Sequence, residues 1–397
     1  MKPRLLIITN RFVIGGPAYH VADLATRLQD DFEILVVGGV PGKGEQANTD
    51  MFAALENEPV VVEGFSRKAS IRNDLRSYRK IKSIIKDFKP DIVHTHTGKP
   101  GIIGRIAARR SGVKAVVHTF HGNLFQGYFP AFISKGIVLL ERMLARKTDA
   151  IIALSELQKK DLTEKYNIAR ADKIRVILPG IDSASLKITE ENRMLFRERF
   201  NIGKDVVVPA IVGRLVGIKN IKLFILAVKH LREKGFGNVK GAVIGDGPLK
   251  LELKEFCNSI GLEFSEYSRK NDNAAIIFTS WCKNISLIYS GIDIVVLTSG
   301  NEGTPYSLIE AQMAGKPVVA ARVGGVADIV SQGRSALLFD TRQQLFSALE
   351  KVVSDETLRQ KMGEEGIAFA RNRLDVSRMT VDTGKLYMSL IPAANKS

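Results

Sequence analysis

The sequence predicts an α/β fold made of two Rossmann-like domains, each with a parallel sheet covered by helices. Short apolar runs alternate with amphipathic helical patterns through the first half of the chain. A polar, charged stretch at 183–205 interrupts this alternation, which restarts at Val206. The length of 397 residues also suits two or three domains that each bury a core.

The elements of the first half follow a β–α–β order. The predicted strands are Leu5–Ile8, Glu33–Val37, Val60–Val62, Ile92–His94, Ala115–His118 and Ile151–Ala153. The predicted helices between them are His20–Leu28, Leu75–Phe88, Gly101–Ser111, Phe132–Arg146 and Glu156–Tyr166. We expect a parallel sheet with helices on both faces.

The second half repeats this order after one connecting helix, Glu190–Phe200. The predicted strands are Val206–Val212, Gly241–Gly245, Ala275–Phe278, Ile292–Leu297 and Pro317–Ala320. The predicted helices are Lys219–Lys234, Leu249–Ile260, Ile285–Ser290, Ser307–Ala314, Gln343–Val353, Glu356–Ala370 and Val376–Leu390. We place one domain at residues 1–185 plus 376–397, with the last helix returning to it, and the other at 186–375.

The composition favours a globular protein without disulfides or membrane-spanning helices. With 45% apolar and 25% charged residues the chain resembles an ordinary globular protein, and its two cysteines, Cys257 and Cys282, indicate no disulfide framework. No apolar run approaches the roughly 18–20 residues of a membrane-spanning helix. We therefore expect a cytoplasmic protein that is soluble or at most peripheral at the inner face of the cell membrane.

The net charge of +16 favours an anionic partner. Residues 66–89 hold nine basic and two acidic residues, without zinc-finger spacing, an RNP-like aromatic run or a helix-turn-helix pattern. A nucleic-acid-binding protein is therefore the weaker alternative. The stretch could instead meet an anionic membrane through five of its cations, or simply be a solvated helix face; the five are Lys68, Arg72, Arg76, Arg79 and Lys80.

The segment from Ser299 to Glu310 is the first candidate site. It follows a buried strand and enters a helix, so its loop lies where open α/β sheets bind ligands. Gly303 permits close backbone approach, and the helix start favours an anion. Glu302 and Glu310 are candidate binding carboxylates; on spacing alone they could equally be a loop charge and a solvated helix position.

Two cations follow the first strand of the second half. Arg214 and Lys219 lie five positions apart in a strand-to-helix loop and could converge on a diphosphate, or be two solvated loop cations. Gly245 and Gly247 form another glycine loop at a strand end and are candidate substrate- or nucleotide-binding residues, although taken alone the loop is a turn. No Asp-x-Asp, G-x-x-x-x-G-K-[ST] or G-x-S-x-G occurs, so cations and backbone dipoles would have to hold a diphosphate.

The first half offers glycines and histidines. Gly15 and Gly16, between the first strand and helix, could point backbone N–H groups at a phosphate, or only form a tight turn. Four histidines lie close in the sequence, and we expect no metal site because no cysteine or carboxylate has ligand spacing to them. His121 is the one we expect to be functional.

Seven motifs in order resemble the family 4 glycosyltransferases, and the resemblance spans nearly the whole chain. They are Gly15–His20, Pro90–His96, His118–Gly122, Gly180–Asp182, Gly213–Asn220, Gly245–Pro248 and Glu302–Glu310. The resemblance implies the GT-B fold, in which two Rossmann-like domains face each other across a cleft, and a retaining reaction with a nucleotide sugar.

The resemblance also implies residue roles. Arg214 and Lys219 would stabilise the leaving diphosphate, Glu302 would bind the transferred sugar, and Glu310 the ribose. Gly303 and Thr304 would supply backbone donors to the donor sugar, and Pro305 would also belong to the substrate-binding loop. Trp281 and Cys282 would lie beside the nucleobase. Gly16 would face the phosphate and His121 the sugar. Ser280 departs from the family pattern, in which glycine is expected.

The function we predict is a metal-independent, retaining hexosyl- or N-acetylhexosaminyltransferase that uses a nucleotide sugar, with UDP favoured. The acceptor would be lipid-phosphate-linked or a glycan, in surface polysaccharide or glycolipid assembly. No cofactor and no nucleic-acid partner are expected. The alternative enzyme is a UDP-sugar epimerase of the same fold.

Overall fold

The chain divides into two compact units, each built around its own sheet. The computed structural model describes residues 2–13, 15–42, 49–65, 70–96, 98–122, 130–267 and 271–391. One unit comprises Met1–Gly180 with Val376–Ser397, and the other comprises Ile181–Asp375. The division falls after residues 180 and 375, where the sequence analysis places it after 185 and 375.

Each unit contains one seven-stranded parallel sheet. The strands of the first unit are β1 (Arg4–Arg11), β2 (Glu33–Gly39), β3 (Val60–Val61), β4 (Ile92–His96), β5 (Ala115–Phe120), β6 (Ala150–Ala153) and β7 (Ile174–Val176). Those of the second unit are β8 (Pro209–Val212), β9 (Gly241–Ile244), β10 (Phe264–Glu266), β11 (Ile276–Ser280), β12 (Ile294–Leu297), β13 (Val318–Ala321) and β14 (Ala336–Phe339).

The strand orders are those of doubly wound sheets. They run β3-β2-β1-β4-β5-β6-β7 and β10-β11-β9-β8-β12-β13-β14, and every pairing of named strands is parallel. The predicted class, α/β with two Rossmann-like parallel-sheet domains, is therefore confirmed. In each sheet the strands that follow the first strand, β1 or β8, are added on one side of it and then on the other. A topological switch point therefore lies between β1 and β4 and between β8 and β12.

Thirteen helices of the described residues flank these sheets. They are α1 (Gly16–Leu28), α2 (Ile71–Phe88), α3 (Gly98–Arg110), α4 (Ala131–Arg146), α5 (Glu156–Lys160), α6 (Glu190–Arg199), α7 (Ile221–Glu233), α8 (Lys250–Ser259), α9 (Ile285–Gly291), α10 (Tyr306–Met313), α11 (Arg342–Ser354), α12 (Glu356–Arg373) and α13 (Val376–Leu390). Among them, none is long and apolar enough to span a bilayer.

The structure differs from the predicted elements at a few places. Strands β7, β10 and β14 were not predicted; each is only three or four residues long and lies at a sheet edge, where apolar alternation is weak. The predicted helix from Lys219 begins at Ile221, because Gly217–Lys219 forms a 3-10 turn and Asn220 is left-handed. After α5 the chain makes a π-type turn at Asp161–Lys165.

The last helix completes the core of the first unit. Val376, Met379 and Tyr387 of α13 are buried among residues of β1, β2 and α1. The Tyr387 hydroxyl is 2.5 Å from Nδ1 of His94, a buried residue of β4. The chain therefore returns to the first sheet after completing the second unit.

A buried ion pair joins α3 to α4 in the first unit. Arg105 and Glu141 are each 2% exposed, and the guanidinium Nη2 donates to both carboxylate oxygens at 2.8 and 2.6 Å. Arg105 Nε also donates to the carbonyl oxygen of Gly101 at 2.9 Å. Burial lowers the pKa of Arg105, and the Glu141 charge opposes that shift, so the two charges depend on each other.

We expect Glu141→Ala to lower the free energy of unfolding of the first unit by about 3–5 kcal/mol, because it leaves the Arg105 charge buried without its partner. Lys114→Ala is the control, since Lys114 pairs with Asp91 with 64% of its side chain exposed, and it should cost under about 1 kcal/mol. Far-UV circular dichroism during urea unfolding measures both. A loss below about 1 kcal/mol for Glu141→Ala would contradict this account.

Candidate active site

The predicted residues of the second unit lie at one edge of its sheet. They follow four strands that are neighbours in the order β11-β9-β8-β12. Trp281 and Cys282 follow β11, Gly245 and Gly247 follow β9, the cations follow β8, and the glutamate loop follows β12. Because β8 and β12 flank the topological switch point, their loops border the crevice where open α/β sheets bind ligands.

The loop after β8 carries Arg214 and Lys219. Arg214 is half-buried and follows Gly213, whose φ of 149° lies in the region that favours glycine. Lys219 ends a 3-10 turn, and Asn220 then adopts φ 47° before α7 begins. A Cβ on Gly213 would lie 3.5 Å from Lys219 Cε, so the lysine side chain passes over this glycine.

Lys219 meets Glu302 across the switch point. Its Nζ donates to Glu302 Oε1 at 2.6 Å, and both side chains are largely buried, with 19% and 13% exposed. The Ser299 hydroxyl donates to the same oxygen at 2.6 Å. The sequence analysis named both charged residues but did not pair them with each other or with Ser299.

Hydrogen bonds fix the two loops against each other. The Thr298 hydroxyl lies 3.0 Å from the carbonyl oxygens of both Lys219 and Asn220. The Gly300 N–H donates to the Ile218 carbonyl at 2.8 Å. The ion pair therefore sits on backbone that is already held, which limits the movement of Lys219 and Glu302.

Gly245 and Gly247 have a packing role that the sequence did not reveal. A Cβ on Gly245, whose φ is 137°, would lie 2.0 Å from the Gly213 carbonyl oxygen. A Cβ on Gly247 would lie 2.5 Å from the Leu215 carbonyl oxygen. The Leu215 N–H donates to the Asp246 carbonyl at 2.9 Å. These glycines therefore let the β8 and β9 loops touch backbone to backbone.

A further glycine pair supports the glutamate loop. Gly324 adopts φ 52°, and a Cβ there would lie 1.7 Å from the Glu302 carbonyl oxygen. The Gly325 N–H donates to the Gly303 carbonyl at 2.7 Å. The loop after β13 thus presses on the backbone of Glu302 and Gly303, which sets where the Glu302 carboxylate can lie.

The start of α10 presents a buried hydroxyl that has no hydrogen-bond partner among the described residues. The helix follows Pro305, whose side chain makes no capping hydrogen bond. The Thr304 hydroxyl is buried and has no hydrogen-bond partner among the described residues. Since buried hydroxyls are nearly always satisfied, this group at the N-terminus of the helix suits an anionic or hydroxyl-rich ligand.

Glu310 lies one helical turn inside α10 and bonds to Tyr289. The Tyr289 hydroxyl is 2.7 Å from Glu310 Oε2 and 3.1 Å from the Ser307 carbonyl oxygen. Burial raises the pKa of the Glu310 carboxyl, and the Tyr289 hydrogen bond partly lowers it again. Glu310 is therefore not a solvated surface charge.

Ser280, before Trp281 and Cys282, adopts a strained conformation. Its φ of 61° is the left-handed region that glycine prefers, which agrees with the expectation of glycine at this position. Its hydroxyl lies 2.5 Å from Lys250 Nζ, and its carbonyl accepts from the Gly245 N–H at 3.1 Å. Trp281 is 40% exposed, and Cys282 Sγ lies 3.6 Å from the Asn284 carbonyl oxygen.

In the first unit, Gly15 and Gly16 lie at the start of α1, after β1. No side chain among the described residues caps this helix, and its first turn has no acidic residue. A Cβ on Gly15 would have no neighbour within 4 Å among the described atoms. The site therefore has room for a group at a helix N-terminus.

His121 follows β5 and belongs to a cluster of histidines. His96 Nδ1 lies 2.8 Å from His121 Nε2, and the ring of His20 lies 5.0 Å from that of His121. Burial lowers the pKa of His20 to about 4, and burial with neighbouring imidazoles lowers that of His121 well below its usual value. These side chains are therefore neutral near pH 7.

The sequence analysis did not identify several supporting residues. Tyr289 and Lys250 act through contacts that join separate elements of the chain, and Ser299 acts through a hydrogen bond to Glu302 three positions away; periodicity shows neither kind of contact. Gly324 could have been suspected from the Gly-Gly pair after β13, because this pair follows a strand at the same edge.

Two family models match the chain from residue 14 to residue 369. Residues 14–185 match Glycosyltransferase Family 4, and residues 192–369 match Glycosyl transferases group 1. Among curated proteins, the chain is 29% identical over 295 residues to the UDP-Gal:alpha-D-GlcNAc-diphosphoundecaprenol alpha-1,3-galactosyltransferase of Escherichia coli. This alignment covers 74% of each chain. It is 27% identical over 343 residues to the capsular polysaccharide biosynthesis glycosyltransferase CapM of Staphylococcus aureus, covering 85% of this chain and 86% of that protein.

Solved structures share the fold. The Anabaena Alr3699/HepE complex with UDP and glucose aligns with a TM-score of 0.80 at 20% identity, covering 98% of this chain and 100% of that one. WaaG, described as a glycosyltransferase involved in lipopolysaccharide biosynthesis, aligns with a TM-score of 0.73 at 15% identity, covering 96% and 99%. The chain therefore belongs to the glycosyltransferases of the GT-B fold, with a family 4 first half and a group 1 second half.

Proposed function

We propose that the protein is a retaining glycosyltransferase that moves a hexosyl or N-acetylhexosaminyl group from a UDP-linked donor to a lipid-linked or saccharide acceptor. The observation that carries this proposal is the Lys219–Glu302 pair, fixed at the switch point, with Arg214 in the same loop as Lys219. The names of the relatives support the donor and acceptor classes: one acts with UDP-Gal on a diphosphoundecaprenol-linked sugar, and another serves capsular polysaccharide biosynthesis.

Arg214 and Lys219 would stabilise the departing diphosphate. When the bond between the sugar and the diphosphate breaks, negative charge develops on the phosphate and positive charge on the ring. Cations held in advance by the protein stabilise such charge without reorganising during the reaction. The N-terminal end of the α10 dipole would add to this field.

The reaction would proceed on one face of the sugar. The bond from the anomeric carbon to the phosphate oxygen breaks, and its electron pair leaves with the nucleoside diphosphate. The acceptor hydroxyl forms the new bond on the same face, and its proton passes to an oxygen of the leaving phosphate. Glu302 is bound to Lys219 and Ser299, which suits a residue that orients sugar hydroxyls better than a nucleophile.

Glu310 would accept hydrogen bonds from the ribose, with Tyr289 keeping the carboxyl oriented. Trp281 and Cys282 would lie beside the nucleobase, and Thr304 would bind the donor through the hydroxyl that has no other described partner. The roles that the family resemblance implies for Gly15, Gly16 and His121 stay predictions. For the donor diphosphate we expect no metal, because Arg214 and Lys219 already supply positive charge.

We also propose that the first unit binds an anionic membrane surface. Arg72, Arg76, Arg79 and Lys80 are exposed on α2, beside the exposed side chain of Ile71; Lys68 lies outside the described residues. On α4, Phe132, Leu139 and Met143 are exposed, while the one acidic residue of that helix, Glu141, is buried against Arg105. Exposed cations on α2 and exposed apolar side chains on α4, both in the first unit, are the residue types that suit the interface of an anionic bilayer.

We expect UDP to raise the melting temperature and a UDP-sugar to be turned over, and Arg214→Ala, Lys219→Ala and Glu302→Ala each to lower kcat by about 100-fold, by analogy with the loss of one oxyanion-hole donor. Lys222→Ala and Glu252→Ala are matched controls, because this ion pair is about half exposed on α7 and α8. Product analysis without acceptor separates an epimerase, which would convert the donor alone.

The proposal would be rejected by either of two results. In one, UDP, GDP and ADP all leave the melting temperature unchanged. In the other, the three site variants keep nearly full activity while a UDP-sugar is still consumed, which would place the chemistry elsewhere.

Tyr289→Phe tests the ribose role of Glu310 through pH. Removing the hydroxyl takes away a hydrogen bond that lowers the Glu310 pKa, so the carboxyl of the variant should gain a proton at a higher pH than in the wild type. A protonated Glu310 loses acceptor strength, so the donor KM should rise as the pH falls, and this rise should begin at higher pH in the variant. Measuring KM from pH 5.5 to 8.5 checks this, with Tyr267→Phe as an exposed control.

KM profiles that rise at the same pH in the wild type and in Tyr289→Phe would argue against this role of Glu310.

The membrane proposal predicts binding to vesicles with anionic lipid that weakens as salt is added, since each cation contributes about 1 kcal/mol near such a surface. Arg72→Glu with Arg76→Glu should abolish sedimentation with these vesicles. Lys351→Glu with Lys361→Glu makes the same charge change at exposed positions of the second unit and should not. Equal binding to neutral vesicles, or no binding at all, would eliminate the proposal.

A further inference from the structure

Three histidines from separate elements of the first unit converge on one point. His20 comes from α1, His96 from the end of β4, and His121 from the turn after β5. Each offers one ring nitrogen, and these three nitrogens lie within 4.8 Å of one another. Three imidazoles from distant parts of the chain meeting in this way form a set of ligands, and the set contains no carboxylate.

The spacing of the rings suits coordination of one ion. The ring centroids are 5.0 Å apart for His20 and His121, 5.1 Å for His96 and His121, and 5.7 Å for His20 and His96. Three imidazoles bound tetrahedrally at metal–nitrogen distances of about 2.0–2.1 Å would have nitrogens about 3.3 Å apart and centroids about 5 Å apart. Small rotations of the side chains would bring the three nitrogens to these positions.

Two nitrogens of these rings have no partner in the part of the chain that the structure describes, and His96 Nδ1 lies 2.8 Å from His121 Nε2 in a hydrogen bond that a shared ion would replace. Among the described residues, neither His20 Nδ1 nor His96 Nε2 makes a hydrogen bond, and both side chains are buried. A buried polar atom without a partner costs about 1–3 kcal/mol, so such atoms are rare unless something else occupies the site. Two in one cluster point to a missing ligand.

The geometry points to a trihistidine site for a divalent transition-metal ion of the zinc class, held by His20, His96 and His121. Imidazole favours Zn²⁺, Cu²⁺, Ni²⁺ or Fe²⁺, whereas Mg²⁺ and Ca²⁺ prefer oxygen ligands. His121 is only partly buried, so a water or an oxygen of another molecule could take the fourth position. The ion would tie α1 to the ends of β4 and β5.

Neighbouring groups would hold the ligands in place. The ring centroids of His94 and His96 are 4.0 Å apart. His94 Nδ1 lies 2.5 Å from the Tyr387 hydroxyl, and His94 Nε2 lies 2.7 Å from the Thr119 hydroxyl. This site departs from the expectation that the histidines bind no metal. It concerns the first unit and leaves the account of the donor diphosphate at Arg214 and Lys219 unchanged, but it would make His121 a metal ligand where the family resemblance implies a contact with the sugar.

The test is metal binding by tag-free protein after removal of metals with a chelator. Zn²⁺ titrated by calorimetry should bind with one tight equivalent, and Co²⁺ should give the intense visible absorption of a tetrahedral site. Saturating Zn²⁺ should raise the melting temperature, because it binds the folded state. The absence of a tight equivalent in the wild type would overturn the proposal without reference to enzyme activity.

Variants assign the site. His20→Gln and His96→Gln should each weaken Zn²⁺ binding by more than about 100-fold, since even a residue behind a ligand can cost about that much. His230→Gln is the matched control, because His230 is a half-buried histidine of the second unit bound to Glu350, and it should bind Zn²⁺ normally. Unchanged affinity in both variants, or an equal loss in the control, would overturn the assignment. If His96→Gln does not fold, His20→Gln and the Co²⁺ spectrum decide.

Discussion

The site of the second unit depends on the close contact of loop backbones at the edge of its sheet. The β9 loop touches the β8 loop where Gly245 meets Gly213, and the loop after β13 touches the β12 loop where Gly324 meets Glu302. A side chain at Gly245 or Gly324 would come within 2.0 or 1.7 Å of a carbonyl oxygen, so neither contact tolerates even a methyl group. The charged residues therefore stand on a backbone surface whose position is set by sterics before any ligand binds.

This constraint explains why Lys219 and Glu302 can form a largely buried pair. Desolvating two charges costs more than a poorly placed partner returns, so such pairs persist when their geometry is good and other hydrogen bonds satisfy them. Ser299 supplies one of these bonds, and Thr298 and Gly300 hold the loop backbones. The pair also fixes the position of the Lys219 ammonium group at the switch point. Preorganised charge of this kind is the main source of rate enhancement in many enzymes.

The sequence could predict the alternation of strands and helices, because buried parallel strands are continuous apolar runs and their helices are amphipathic. It could not predict β7, β10 or β14, because these edge strands are short and half-exposed and so lack a continuous apolar run. The residue types at the site were predictable, since glycines, cations and carboxylates follow strands at one edge. Their contacts were not: the pairing of Lys219 with Glu302 joins positions 83 residues apart, and that of Tyr289 with Glu310 crosses from α9 to α10. The glycines at 245 and 247 were recognised as candidate binding residues, but their packing role was not predicted.

The side chains at the carboxyl edges of the two sheets differ in charge. At the second, Arg214, Lys219 and Glu302 bring full charges to the switch point. At the first, the ends of β4 and β5 carry buried imidazoles whose pKa values are lowered, so the histidines add no charge near pH 7 although the chain as a whole carries +16. Burying a neutral imidazole with an unpartnered nitrogen is costly unless a ligand or a protein group bonds to that nitrogen. Tyr387, from the far end of the chain, already satisfies His94 in this way. The helix that returns to the first unit therefore contributes to the polar interior of that sheet as well as to its apolar packing.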